Sequence, residues 1–169
     1  METPPVESGE MVYRQVGPGG NPVYFASGRK PPVHWSLFLP GRQDDDGLSL
    51  IRRRFRTPIW AAFRPDTPET RFRLICMDVA LMQDVAQLAG LPEIGFEPTP
   101  DGLDQQHGPP WAHCAAREIN RGEYDSNRQI KVRIKQWARD LADRIEHEQI
   151  IGPFDAPGSD DSYRPAAAL

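Results

Sequence analysis

Residues 71–90, RFRLICMDVALMQDVAQLAG, change their hydrophobic period half way along. Over residues 71–77 the side chains alternate, with Phe72, Leu74 and Cys76 on one side, which is the spacing of a central strand. From Val79 onward Leu81, Val85 and Leu88 recur at helical spacing. Asp78 stands where an N-cap belongs and Gly90 where a helix stops. A strand that runs into a capped helix predicts a chain with both kinds of element.

Working outward, MVYRQV (residues 11–16) reads as a first strand ended by GPGGNP. Residues 34–39, HWSLFL, alternate as a strand would, with Trp35, Leu37 and Leu39 on one face and His34, Ser36 and Phe38 on the other. After GRQDDDG comes a short β-like run at 48–51. The Asp46-Gly47 turn signal predicts that 34–39 and 48–51 pair as a hairpin with a long loop. Residues 91–110 read as loop. A helix opens at Asp125-Ser126, with Ile130, Ile134, Trp137, Leu141 and Ile145 in one stripe. The expected architecture is a loop-rich α+β domain: a small mixed or antiparallel sheet with a long C-terminal amphipathic helix. Eighteen prolines and fourteen glycines fit that reading, because proline breaks both helix interiors and sheet ladders. The domain spans 11–151, and the Pro-, Gly-, Ser-, Asp- and Ala-rich ends at 1–10 and 152–169 are expected as disordered tails.

A length of 169 residues suits one domain. The net charge of −4 argues against a wholly basic nucleic-acid binder, but it averages over patches. Between positions 52 and 73 seven arginines face only Asp66 and Glu69. Cys76 and Cys114 are the only cysteines, and Cys76 sits in the apolar run LICM, so no disulfide framework is expected. The N-terminus carries no secretory pattern and no window approaches a membrane span of about 20 apolar residues; a cytoplasmic protein is the expectation.

Charge gathers in two places along the chain. Arg128, Lys131, Lys135 and Arg139 share one face of the last helix, ahead of Asp140, Asp143, Glu146 and Glu148. The helix macrodipole prefers the reverse order, which points to an acidic protein partner or a phosphate, or else to a solvated face. Arg52, Arg53, Arg54 and Arg56 surround Phe55, a pattern suited to a phosphorylated ligand or to nucleic acid. Ion pairs from these arginines to Asp44, Asp45 and Asp46 are the alternative. His107, His113 and Cys114 do not have zinc spacing, so no metal is expected. No GxSxG elbow or phosphate loop is present.

Two resemblances add to this. The order Arg14, then His34 and Ser36, then Glu118 or Glu123 resembles the Arg–Ser–Glu pattern of ADP-ribosyltransferases. It implies that Arg14 and Ser36 hold NAD and that a glutamate directs transfer. The Ser-Thr-Ser run and the paired glutamate of the better-known branches are not in the chain. The series YRQV, Ser36-x-Phe38, Asp46-Gly47-Leu48-Ser49 with Arg52, and Pro110 and His113 leading to Ile119, resembles a group of small bacterial proteins with no assigned activity. That resemblance implies that Arg14, Ser36, Ser49, Arg52 and His113 belong together in a pocket.

The leading expectation is a binding or interaction module of a multi-component bacterial system, of defence or toxin type, with a protein partner on the Arg128, Lys131, Lys135 and Arg139 face and no cofactor. The alternative is a small enzyme on NAD or a phosphorylated ligand, with Arg14, Ser36 and His113 catalytic and His34, Ser49, Arg52 and Arg54 binding. A third reading is nucleic-acid binding through the basic patches.

Overall fold

The structure, a computed structural model, describes residues 3–17, 30–91, 93–99 and 112–162. Six strands form one sheet: β1 (Met11–Val16), β2 (Leu48–Arg52), β3 (Arg73–Asp78), β4 (Phe96–Pro98), β5 (His113–Ala116) and β6 (Ile150–Ile151). Their order is β4-β5-β2-β1-β3-β6, and every neighbouring pair is antiparallel. Among the described residues four α-helices accompany them: α1 (Pro58–Ala61), α2 (Val79–Leu88), α3 (Arg121–Ser126) and α4 (Arg128–Asp143). This is the α+β class with an antiparallel sheet and a long C-terminal helix. None of the described helices is long and apolar enough to cross a membrane.

Strand alternation decides which side chains meet the helices. Val12, Val16, Leu48, Leu50, Ile75, Met77, Cys114 and Ala116 join one large core with the buried faces of α2 and α4. Trp137 of α4 is wholly buried there, and its indole N–H donates to the Met82 carbonyl at 3.1 Å, tying α4 to α2. The opposite sheet face buries Tyr13, Ile51 and Leu74 under Ala61 and Ala62, with Phe72, Cys76, Ile151 and Phe154 packed around them. Phe72, Leu74 and Cys76 therefore share a side, as their spacing predicts.

The passage from strand to helix at residue 78 forms as expected: the Asp78 carboxylate accepts from the Ala80 N–H at 2.8 Å, and Gly90 adopts φ +72° just past the helix. The buried stripe of α2 is shifted from the expected one. It runs through Val79, Met82, Val85 and Ala86, and Leu88 is 71% exposed. The long helix starts at Arg128 rather than at Asp125. Asn127 caps it by accepting from the N–H groups of Gln129 and Ile130, while Asp125 and Ser126 close the short α3. Its apolar stripe is as expected, with Ile134, Trp137, Leu141 and Ile145 buried and Ile130 partly so. Strand β4 lies within what reads as loop.

The expected strand at 34–39 is overturned. Residues Trp35–Phe38 form a 3₁₀ turn, and β2 pairs with β1 and β5 instead of with this segment. The cause is local. His34 Nδ1 accepts from the Ser36 N–H at 3.2 Å and lies 2.7 Å from Ser36 Oγ, so side chain and backbone close on each other in place of a ladder. Trp35, Leu37 and Leu39 still pack on the main core.

Neither expected tail is without contacts. Arg52 is fully buried and spends its guanidinium on the N-terminal segment. Nε donates to Glu10 Oε1 at 2.6 Å and Nη2 to Glu10 Oε2 at 3.0 Å, while Nη1 and Nη2 reach the Pro4 and Pro5 carbonyls at 2.8 Å each. The Ser8 and Glu10 carbonyls accept from Ala80 and Val79, the first N–H groups of α2, and Val6 packs on the core. At the other end Phe154 joins the second cluster. Trp60 Nε1 donates to the Asp161 carbonyl at 2.9 Å and Thr57 Oγ1 to the Ser162 carbonyl at 2.8 Å. Residues 163–169 lie outside the described residues.

Removing one partner of a buried ion pair strands the other charge away from water, at a cost of about 3–5 kcal/mol. Arg52→Ala is therefore expected to lower the unfolding free energy by about that amount in a urea titration. Arg54→Ala, whose side chain is 43% exposed and 3.9 Å from Glu10, should change it by less than about 1 kcal/mol.

Candidate ligand-binding site

Strands β1 and β2 part company half way along. Their ladder holds Val12↔Arg52 and Tyr13↔Ile51, whereas β1 stays paired with β3 from Met11↔Asp78 to Val16↔Arg73. Arg14 stands at the parting. Its Cβ projects with those of Val12 and Val16 on the helical side. Its Nη1 donates to the Ser49 carbonyl at 2.9 Å and its Nε to the Leu37 carbonyl at 3.1 Å. Nη2 lies 3.7 Å from Asp44 Oδ2, and that same oxygen accepts from the Gly41 N–H at 2.7 Å. One guanidinium thus joins β1, β2, the 3₁₀ turn and the loop 41–47. Burial lowers the Arg14 pKa from its usual value, and Asp44 pushes it back up. The loop is also held from behind, because Asp44 O accepts from the N–H groups of Gly47 and Arg121.

A cavity of about 620 Å³ lies at this parting. Its described lining carries the cations Arg14, Arg42, Arg56 and Arg64 against one acid, Asp44. Gln15, Gln43, Ser49 and His113 supply further hydrogen-bonding groups, and Tyr13, Ile51, Phe63 and Phe72 apolar surface. The sheet explains this set. Tyr13 and Gln15, Ser49 and Ile51, and His113 all point to the face away from α2 and α4, since Tyr13 is registered with Ile51 and Ile51 with His113. Arg56 is 2% exposed; Arg42 is exposed; Arg64 is half-buried, and its Nε and Nη2 each donate to Asp66 at 3.2 Å. That pairing holds the Asp66 carboxyl below its ordinary pKa. Burial raises the Tyr13 phenol further above its usual value, so it stays neutral.

Of the residues singled out from sequence, Arg14, Ser49 and His113 come together here. Ser36 and His34 do not line the cavity. They engage each other in the 3₁₀ turn, where Nδ1 accepts from the Ser36 N–H, so the serine hydroxyl is a further donor to it. Arg52 points to the helical side and is taken up by Glu10, Pro4 and Pro5. Arg54 lies over the Phe55 ring at 4.7 Å and beside Glu10. The pairing considered between the aspartate run and the arginine run is replaced by two others, Asp44 with Arg14 and Glu10 with Arg52 and Arg54. Glu118 accepts from the Gly95 N–H at 2.7 Å and Glu123 is exposed on α3; neither lines the cavity.

On α4, Arg128 and Arg139 are exposed and Lys131 and Lys135 half-buried. Lys131 sits 4.7 Å over the Tyr124 ring and Arg139 4.7 Å over Trp35, so two cations of the stripe are already stacked on aromatic faces of the chain itself. Among the described residues no three His, Cys, Asp or Glu side chains gather as a metal site requires, and His107 lies outside them. His113 and Cys114 are successive residues of β5 and face opposite sides of the sheet. Sequence reasoning did not pick out Arg42, Arg64, Gln15, Gln43, Phe63 or Phe72 as a group. A usable signal was Gln15, a long polar side chain on a strand face otherwise occupied by Tyr13 and Leu74.

Cys114 is buried among apolar side chains, and burial pushes its thiol up to about 12. A folded pKa above the unfolded one means that the unfolded chain loses this proton first. The thiol therefore subtracts stability as pH rises from about 9 to about 12 and has no such effect below that range. At pH 8 a thiol reagent is expected to leave Cys114 unmodified in the folded protein and to modify it within minutes in urea, as read by peptide mass. Rapid modification of folded Cys114 would contradict its burial. In comparisons with protein-family models, curated proteins and solved structures, nothing matches this chain.

Proposed function

We propose that the chain is a ligand-binding domain that takes a small phosphorylated molecule into the cavity at the parting of β1 and β2. The observation that carries this reading is the composition of the cavity's described lining, four arginines to one aspartate, with Arg56 buried and Arg14 held in place by three partners. Guanidinium groups match phosphate oxygens two at a time, and a cation partly withdrawn from water attracts an anion more strongly than one in bulk solvent. A volume of about 620 Å³ falls within the range of small-molecule sites.

Binding is favoured over catalysis by where the expected catalytic residues lie. Ser36 and His34 are engaged in a local turn away from the cavity, so of the expected catalytic residues only Arg14 and His113 line it, without the expected serine. A surface for a protein partner or for nucleic acid finds less support. Arg52 is buried, and Lys131 and Arg139 are stacked on Tyr124 and Trp35, so neither basic run presents a continuous field of cations.

The test is calorimetric titration with inorganic pyrophosphate at low and at moderate salt. Binding is expected, weakening as salt rises. Arg42→Gln, at an exposed position that leaves the fold intact, should weaken it about tenfold, the loss typical of one charge-assisted hydrogen bond. No binding at low salt, or binding that ignores both salt and Arg42→Gln, would sink the proposal.

A further inference from the structure

The cavity's described lining combines cations with aromatic side chains, and this points to more than an anion. Resting on the reading of the cavity as a phosphate site, we infer that its ligand is a nucleoside phosphate, with the phosphate taken by arginines of the lining and the base by Phe63 and Phe72.

Phe63 and Phe72 are half-buried and belong to different segments, the end of the α1 turn and the approach to β3. Phe63 is steadied by an edge-on contact with Trp60, the ring centroids 5.7 Å apart. Phe72 packs on the Tyr13, Ile51 and Leu74 cluster. Inorganic phosphate has no flat or apolar face to set against these rings, and a sugar phosphate offers them only the C–H groups of its ring. A base has a π face that stacks on such rings whatever its sequence identity.

A base also has an edge of donors and acceptors, and the cavity holds matching groups. The Gln15 amide is fixed by donating to the Ala61 carbonyl, which leaves its own carbonyl oxygen to accept. Gln43 adds a second amide from the exposed loop, and Ser49 and His113 line the same space. The arrangement is of one kind with small-molecule sites generally, where an apolar wall supplies area and a few polar groups fix orientation.

The experiment compares ligands that differ by one part. The four ribonucleoside 5′-monophosphates, ribose 5-phosphate and adenosine are titrated into the full chain by calorimetry. At least one mononucleotide is expected to bind on the order of tenfold or more tightly than ribose 5-phosphate, and adenosine more weakly than its monophosphate. Phe63→Leu and, independently, Phe72→Leu should reduce the advantage of the nucleotide over ribose 5-phosphate. Arg42→Gln should weaken both ligands by the same factor. Far-ultraviolet circular dichroism checks that each variant is folded, and either phenylalanine suffices if the other does not fold.

The outcomes separate the two proposals. Equal affinity for ribose 5-phosphate and every mononucleotide overturns the nucleoside inference and leaves the phosphate site standing. Absence of binding by every phosphate overturns both. A 5′-phosphorylated tetranucleotide that binds where no mononucleotide does also overturns the inference, because the site would then belong to a nucleic-acid chain.

Discussion

The Arg14 guanidinium occupies the place where β1 and β2 stop sharing backbone hydrogen bonds, and much of the molecule is arranged around it. An open ladder leaves carbonyls with no partner from the neighbouring strand, and a buried carbonyl without one is costly. Arg14 answers the Ser49 carbonyl from β2 and the Leu37 carbonyl from the 3₁₀ turn, while Asp44 faces its charge. A lysine has a single point of contact to offer, whereas the planar fork serves several acceptors in different directions at once. The consequence is a sheet that is complete on its β3 side and open toward β2, with a cavity at the opening. Structure and site therefore share one side chain.

Arg52, in the ladder pair next to the one at the parting, shows the same chemistry used on the N-terminal segment. It is bidentate to Glu10 and also binds two proline carbonyls, so its donors are answered and no charge is left over. The N-terminal segment becomes part of the fold through this group, and the Ser8 and Glu10 carbonyls in turn cap the start of α2. Prolines 4 and 5 suit the role, because they have no N–H to satisfy and present their carbonyls from a stiff backbone. The two arginines differ in what remains available around them. Arg52 is enclosed, whereas Arg14 lies in a cavity lining with Arg42, Arg56 and Arg64.

Elements with a clean period were legible from sequence. The strand and helix of residues 71–90 and the apolar stripe of α4 each repeat often enough to outweigh local preferences. The segment at 34–39 alternates just as well and is nonetheless a 3₁₀ turn, because alternation over six residues is matched by a single His34–Ser36 side-chain contact and by the prolines at 31, 32 and 40. Leu88 misled for a related reason: it has the right spacing from Leu81 and Val85, but the sheet meets α2 along Val79, Met82 and Val85. At the site, Arg14, Ser36, Ser49, Arg52 and His113 were expected in one pocket; Arg14, Ser49 and His113 share a cavity lining, whereas Ser36 and Arg52 are engaged elsewhere.

The sequence by itself determined the class of the fold, the existence of the strand–helix unit and of the long helix, and the concentration of arginine between positions 52 and 73. These are local properties, written in period, capping and composition. Tertiary structure alone decided which arginines line the cavity and which are taken up away from it. Arg14 and Asp44 are thirty positions apart, and Arg52 meets Glu10 across forty-two. Such partners are chosen by strand order and register, since the pleat sends adjacent residues to opposite faces and a neighbouring strand determines which groups wait there. Charge in a sequence says how much there is to neutralise; only the folded sheet says which of it is already neutralised.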